Sequence, residues 1–335
     1  MPRTSREVRL ATPPAGLPTA QDFTVVEVAV PEPGPGELLV RNLGFQVFGA
    51  AVTTALGQDV AGFPALHPGG VPVGPAVGEV VTGDGDVRPG DLVSHGAGWR
   101  EFAAVPASRC APLGDALPDP LLHLSHGWTA YAALTRVAPV RPGDAVFVSN
   151  AAGAIGSLAG QIARLLGAGR VVGSAGSREK ARRLVAELGY DAVVLRDSPQ
   201  SWGEQLAAAA PDGLDVVVDL VGGEQLRAAA EAARPHARIA LTGALAAQYA
   251  PVDRRMRAPV ELDLVQLITK SVRLEAFRAD DHPDVLPEWN ERFAGWLHAG
   301  EIDFPHTRVG GIDRAPQALQ DVLAGLHVGS VLVAL

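Results

Sequence analysis

Residues 145–167 read AVFVSNAAGAIGSLAGQIARLLG, which predicts a buried strand, a glycine turn and a helix in immediate succession. The turn has the pattern Ala151-x-Gly153-x-x-Gly156, so two of the three glycines of a dinucleotide-binding fingerprint are present. Gly153 would let a pyrophosphate approach the backbone, and Gly156 would let the helix pack against the strand. The free N–H groups at the helix start, with its positive dipole end, would face that phosphate. The stretch predicts the first unit of a doubly wound parallel sheet.

The next apolar strand, residues 170–174, ends where NAD enzymes carry an acidic residue for the ribose 2′-hydroxyl. No acid is present there. Ser174 and Ser177 offer hydroxyls instead, and Lys180 offers a cation, which together suit an additional phosphate. We therefore expect NADP(H) rather than NAD(H) as the cofactor.

Composition excludes several classes of function. The chain has 335 residues, 47% of them hydrophobic, and a formal net charge of -9, which is typical of a globular protein with two domains. A negative balance argues against nucleic acid or an anionic membrane surface as a partner. No long apolar run suggests a membrane helix and the N-terminus has no apolar signal core, so we expect a cytoplasmic protein. Cys110, the single cysteine, excludes an internal disulfide and cysteine-rich zinc sites.

The strand pattern changes along the chain. The first third has short alternating runs separated by turns such as Pro33–Gly36, which predicts a small β-barrel-like domain. The acidic triplet Asp84-Gly85-Asp86 lacks the other ligands of a calcium loop and is interpreted as a hairpin turn. From about Leu124, apolar strands alternate with alanine-rich helices, which predicts a parallel sheet covered on both faces. The last apolar run, Ser330–Leu335, is expected to return to the first domain.

Several segments resemble one family. Gly98–Phe102 (GWREF), Gly127–Tyr131 (GWTAY) and Asn150–Gly160 (NAAGAIGSLAG) are similar to segments of the zinc-independent medium-chain dehydrogenases/reductases, in the branch of the alkenal and prostaglandin or leukotriene double-bond reductases. The likeness spans nearly the whole chain. It implies an α/β fold in which a Rossmann domain accompanies a GroES-like β-barrel catalytic domain. The expected boundaries are 1–124 for the catalytic domain, 125–304 for the Rossmann domain and 305–335 for the return to the catalytic domain.

The resemblance also implies a chemistry and a set of residues. These reductases transfer a hydride from NADPH to an activated C=C bond without a metal, and their Rossmann sheets commonly pair into homodimers. For a dimer, the sequence itself adds only the apolar segments Leu262–Ile268 and Val272–Phe277. Arg196 stands where the family has a tyrosine that touches the ribose phosphate. The predicted cofactor-binding residues are Asn150, Gly153, Ala154, Ile155, Gly156, Ser174, Ser177, Lys180, Arg196, Thr242, Gly243, Ala244 and Phe277, and no metal ligand is predicted.

The family places a tyrosine after the fifth Rossmann strand, where it holds the oxygen of the developing enolate. Tyr249 is the candidate for that donor in this chain, although its segment is one residue longer than the family's and lacks the final asparagine. His126, which precedes the Gly127 helix, is an alternative proton donor. Asp280-Asp281-His282 has a metal-like composition, but adjacent side chains point in different directions, so we interpret it as a solvated loop.

The substrate pocket departs from the family. Phe48–Val52 (FGAAV) replaces an Asp-Pro-Tyr-Met-Arg run, which leaves an apolar wall and suits a bulky hydrophobic enone or polyenone of specialised, natural-product metabolism. A reductive cyclase, in which hydride addition triggers C–C ring closure, is one alternative. A catalytically silent NADP-binding homologue is another.

Overall fold

The computed structural model describes residues 3–49, 54–57, 59, 64–83, 86–250 and 257–335. The strands among these residues are β1 Thr4–Leu10, β2 Phe23–Ala29, β3 Glu37–Val47, β4 Ala76–Thr82, β5 Leu92–His95, β6 Phe102–Pro106, β7 Ala111–Pro112, β8 Ala145–Val148, β9 Arg170–Ala175, β10 Ala192–Leu195, β11 Leu214–Asp219, β12 Ala233–Leu241, β13 Arg273–Ala276, β14 His306–Gly310 and β15 Ser330–Ala334. The α-helices are α1 Gly127–Ala132, α2 Gly156–Leu165, α3 Arg178–Glu187, α4 Trp202–Ala209, α5 Gly223–Glu231, α6 Leu245–Gln248, α7 Leu264–Thr269, α8 Val285–Ala299 and α9 Ala315–Leu323. Short 3-10 helices cover Ala20–Asp22, Ala107–Arg109, Pro120–Leu124, Ala279–Asp281 and Ile312–Arg314, and a π-helical turn covers Ala133–Val137.

The chain forms two compact units. One consists of Met1–Ser125 together with His306–Leu335, and the other is His126–Pro305. The last strand, β15, pairs with β3 and with β14, so the C-terminal segment completes the sheet of the first unit.

The second unit is built on a six-stranded parallel sheet with the order β10-β9-β8-β11-β12-β13. The central strands read as continuous apolar runs because helices cover both faces of the sheet. All four residues of β8 are buried, and Phe147, Val172 and Val217 belong to one apolar cluster. From the central strand β8, the sheet extends in one direction through β9 to β10 and in the other direction through β11 and β12 to β13. Ligands bind open sheets of this kind at the point where the strand order reverses, here beside β8.

The first unit contains a seven-stranded sheet, in which most neighbours are antiparallel, and the separate β1-β2 pair. Its core holds Trp99, fully buried between the rings of Phe23 and Phe45. Trp99 has a left-handed backbone, with φ 63°, which turns the ring inward from the GWREF segment. The similarity of that segment to the family therefore corresponds to a packing feature of the barrel-like unit.

This architecture confirms the predicted α/β class, in which a doubly wound parallel sheet accompanies a separate β-sheet unit. The predicted apolar strands also form, with end points shifted by a few residues. The sequence does not predict β1, β13, β14 or the 15-residue helix α8. β1 begins with four polar residues, Thr4–Glu7, and β14 begins with three, His306–Arg308, so neither forms an apolar run. The turn predicted at Asp84-Gly85-Asp86 lies outside the described residues at its first two positions.

Gly127, the first residue of α1, is fixed by a neighbouring ring. A Cβ built on Gly127 would lie 2.0 Å from Cζ2 and 2.4 Å from Cη2 of Trp289, which is 1% exposed. Trp289 stacks on Phe293 with ring centroids 4.6 Å apart, so it cannot move away freely. The first residue of the GWTAY segment is therefore glycine for a steric reason.

We expect Gly127→Ala to lower the free energy of unfolding by about 1–3 kcal/mol or more, because it overpacks a closed core. Gly295→Ala is the matched control: Gly295 lies within α8, with nothing within 4 Å of an added Cβ. That change should be neutral or stabilising by about 0.5–1 kcal/mol, because alanine favours helix over glycine. Denaturant unfolding measures both. Equal effects of the two substitutions would contradict the steric account.

Candidate functional site

The turn that follows β8 is shaped by close backbone contacts. Asn150 adopts a left-handed conformation with φ 49°, which asparagine tolerates better than most residues. Its carbonyl accepts the N–H of Gly153 at 2.9 Å, and the carbonyl of Gly153 accepts the N–H of Ser157 at 2.9 Å. A Cβ on Gly156 would lie 2.3 Å from the Asn150 oxygen and 2.6 Å from Cα of Ala151. Only glycine fits at position 156 while the chain enters the helix here.

The helix start presents unpaired donors. Within the described part of the chain, the N–H groups of Ala154, Ile155 and Gly156 donate no hydrogen bond, and the cap residue Ile155 has no side-chain oxygen. No acidic side chain lies in the first turn of α2 to offset the positive end of its dipole. Gly153, Ala154 and Ile155 are partly exposed, so an anion can reach these groups. The turn is therefore suited to a phosphate group.

Ser174, at the end of β9, supports this turn from beneath. Its hydroxyl accepts the Asn150 N–H at 2.9 Å and donates to Oε1 of Gln225 at 2.6 Å, while its carbonyl accepts the Ala151 N–H. Ser174 is 2% exposed. This hydroxyl is joined to Asn150 and Gln225 inside the protein, and its contact with a phosphate stays a prediction. Ser174 acts on the site through Asn150.

A second buried pair joins the ends of β8 and β11. The hydroxyl of Ser149 donates to Asp219 at 2.8 Å and accepts the Leu220 N–H at 2.7 Å, while Asp219 also accepts the Gly222 N–H at 2.7 Å. Burial raises the pKa of Asp219, and the hydrogen bonds from Ser149 and the Gly222 backbone act in the opposite direction. These residues fix the switch point of the sheet.

Positive side chains gather at the ends of β9 and β10. Ser177 caps α3, with its hydroxyl accepting the Lys180 N–H at 3.3 Å. The Arg196 guanidinium lies over Gly176, with Nη2 3.1 Å from the position of a Cβ there. The pKa of Lys180 is lowered, first by burial and then by the nearby Arg196 cation. The structure thus brings together three predicted residues, Ser177, Lys180 and Arg196, and an anion held between the two cations would relieve their repulsion.

Tyr249 lies on the segment that crosses back over the end of β11. In that segment, Leu245 N–H donates to the Leu220 carbonyl at 3.1 Å and Ala246 N–H to the Val221 carbonyl at 3.0 Å. Tyr249 follows α6 directly and is 42% exposed. Burial raises the pKa of its phenol, and the Arg196 cation acts in the opposite direction.

The other predicted residues lie at the ends of β12 and β13. Thr242 donates its N–H to the Asp219 carbonyl at 3.0 Å, and a Cβ on Gly243 would lie 2.6 Å from the Leu220 carbonyl oxygen. Ala244 is the residue that precedes α6. Phe277 is 8% exposed and its N–H donates to the Leu241 carbonyl. All the predicted cofactor-binding residues therefore lie at or near the carboxyl edge of this one sheet.

The sequence alone does not identify the supporting residues Ser149, Asp219 and Gln225. A serine or aspartate at the end of a buried strand carries a weak signal, because only the fold shows which strand end it faces. His126, the alternative donor, precedes α1, and burial lowers its pKa to about 4, so its ring is neutral at pH 7.

The sequence also makes predictions about metal binding, membrane-spanning helices and an apolar wall of the substrate pocket. Among the described residues, no group of three or more His, Cys, Asp or Glu side chains could hold a metal ion. In the same ranges, none of the helices has the length and apolarity needed to span a bilayer. Of the predicted apolar wall Phe48–Val52, the last three residues lie outside the described ranges.

Family models match both parts of the chain. Residues 154–292 match a family described as zinc-binding dehydrogenase, and residues 6–113 match the N-terminal domain of oxidoreductase. Neither description is specific about the reaction.

Relatives match over nearly the full length. A putative NADP-dependent oxidoreductase of Bacillus subtilis, YfmJ, is 32% identical, and the alignment covers 99% of this chain and 98% of that protein. A 2-alkenal reductase (NADP(+)-dependent) of Nicotiana tabacum is 30% identical, with 98% and 97% covered. The crystal structure of CurA from Vibrio vulnificus in complex with NADPH is 28% identical, covers 98% of both chains and superposes with a TM-score of 0.86.

Proposed function

We propose a specific reaction for this chain, which belongs to the zinc-independent double-bond reductase branch of the medium-chain dehydrogenases/reductases. It is an NADPH-dependent oxidoreductase of that superfamily and acts on an activated C=C bond. The finer proposal is conjugate reduction of a bulky hydrophobic enone or polyenone. The observation that carries the cofactor assignment is the glycine turn with three unpaired N–H groups, together with the cations Lys180 and Arg196. The reaction on a C=C bond is supported by the similarity to the 2-alkenal reductase.

The residues fit NADPH on two counts. The Ala154, Ile155 and Gly156 amides are free to bind a pyrophosphate, in a turn so tight that a Cβ on Gly153 or Gly156 would collide with Asn150. Lys180, Arg196 and the Ser177 hydroxyl would bind the 2′-phosphate, which NADH lacks. Asn150, Thr242, Gly243, Ala244 and Phe277 complete the proposed set.

When bound, NADPH supplies the hydride that the β-carbon of the substrate accepts. The substrate's own carbonyl then carries the negative charge as an enolate, so no metal is needed to polarise it. Tyr249 is the proposed donor that holds this oxygen. Its raised pKa keeps the phenol protonated at neutral pH, so it can donate a hydrogen bond. Protonation at the α-carbon then completes the reduction.

Substrate size and assembly are proposed on narrower grounds. The apolar composition of Phe48–Val52 supports a bulky substrate from specialised metabolism.

A homodimer is supported by apolar side chains on α7 and the edge strand β13: Leu264, Val265 and Ile268 are 66%, 71% and 75% exposed, and Leu274 is 37% exposed. Light scattering should give a dimer mass, and a monomer mass at working concentration would reject this assembly.

The reaction is tested by NADPH oxidation over enones of increasing size and conjugation, with the mass and ring count of each product determined. We expect products two hydrogens heavier than the substrate and a preference for larger enones. A product with a new ring would favour the reductive cyclase, and a protein that binds NADPH but reduces no enone would favour the silent homologue.

Lys180→Ala tests cofactor choice. It should raise KM for NADPH by about 5- to 150-fold, the range for losing a charge-assisted hydrogen bond of about 1–3 kcal/mol, and leave KM for NADH nearly unchanged. Arg183→Ala is the control, since Arg183 lies on the same helix and pairs with Glu187. Equal effects of Lys180→Ala on both cofactors would contradict the phosphate assignment.

Tyr249→Phe tests the enolate donor. Because the hydroxyl matters once charge appears on the substrate oxygen, kcat should fall by about a hundred- to thousand-fold while cofactor affinity stays nearly constant. Steady-state kinetics with the best enone and direct titration with NADPH separate the two effects. Unchanged kcat and unchanged products would remove Tyr249 from the mechanism and turn attention to His126.

A further inference from the structure

Tyr190 lies beneath the phosphate-binding turn and is 2% exposed. Its hydroxyl donates to the carbonyl oxygen of Gly156 at 2.6 Å, inside the first turn of α2. Burial raises the pKa of this phenol, while the backbone of Gly160, one helical turn further on, acts in the opposite direction. The hydroxyl therefore lies beside the backbone groups of two successive turns of the helix.

Two glycines make room for this ring. A Cβ on Gly160 would lie 2.3 Å from Cε2 and 2.8 Å from the hydroxyl oxygen of Tyr190. A Cβ on Gly173, in β9, would lie 2.8 Å from Cε1 on the other side of the ring. The ring thus fills the space between the phosphate-binding helix and the neighbouring strand.

The backbone that carries Tyr190 is anchored to the same two elements. The next residue, Asp191, donates its N–H to the Val171 carbonyl at 2.8 Å and accepts the Val171 N–H at 2.7 Å, which ties it to β9. Its carboxylate also pairs with Arg164 near the end of α2. Because the backbone next to Tyr190 is anchored in this way, the Tyr190 hydroxyl has a fixed position. The carbonyl oxygen that this hydroxyl contacts is therefore held in place as well.

We propose that Tyr190 is a positioning residue of the cofactor's pyrophosphate site: its hydroxyl holds the Gly156 carbonyl and so fixes the direction of the free N–H groups of Ala154, Ile155 and Gly156. The inference rests on the proposed NADPH site. Because the pyrophosphate is common to NADPH and NADH, the role concerns both cofactors equally. In this it differs from the role of Lys180, which concerns the 2′-phosphate alone.

The test is direct titration of Tyr190→Phe with NADPH and with NADH, followed by fluorescence and without an enone. Phenylalanine keeps the ring and removes only the hydroxyl. The dissociation constants of both cofactors should rise by about five- to tenfold, the loss expected for one buried hydrogen bond. Tyr131→Phe is the matched control, because Tyr131 is also 2% exposed and donates its hydroxyl to Glu288 instead. It should leave both constants unchanged.

Thermal unfolding without cofactor separates positioning from stability. The proposal is supported if Tyr190→Phe weakens the binding of both cofactors more than Tyr131→Phe does, at a comparable loss of Tm. Unchanged constants, whatever the change in Tm, overturn it, and so does a rise for NADPH alone. Wild-type protein that binds neither dinucleotide would overturn the proposed function together with this inference, whereas unchanged binding by the variant overturns the inference alone.

Discussion

The site depends on close backbone packing in the turn between β8 and α2. The Asn150 carbonyl and the Ala151 backbone lie so near Gly156 that no Cβ can be added there. This contact lets the chain leave β8 and enter α2 within a few residues. The consequence is a helix start whose N–H groups are free and face the carboxyl edge of the sheet. Phosphate binding then needs no side chain at this point.

Hydrogen bonds from the neighbouring strands hold the turn in place. Ser174 reaches it from β9, and Ser149 is joined to Asp219 at the end of β11. Leaving any of these buried groups without a partner would cost about 1–3 kcal/mol, so the network favours a single arrangement of the three strand ends. In the proposed function, Lys180 and Arg196 add cofactor specificity at the rim of this frame, where an anion would relieve the repulsion between the two cations.

The sequence predicts the frame well because its signals are local. Apolar runs such as Leu214–Leu220 and the glycine spacing at 153 and 156 depend on neighbours only a few residues away. The supporting contacts are not local: Ser149 meets Asp219 across 70 residues, and Tyr190 meets Gly156 across 34. Ser174 is a second example of a contact that local signals do not predict. The sequence predicts a hydroxyl beside the phosphate but cannot show that this hydroxyl bonds to Asn150 and Gln225. β13 escapes a strand prediction because it is a four-residue edge strand with exposed side chains.

In the proposed reaction, the hydride goes to a carbon–carbon double bond of an enone. The most direct measurement is reduction of an enone with NADPH that carries deuterium at the transferred position of the nicotinamide, with the label then located by NMR and mass spectrometry. We expect one deuterium at the β-carbon, a solvent-derived proton at the α-carbon and an intact carbonyl. Deuterium on the carbonyl carbon, with an alcohol as product, would contradict it.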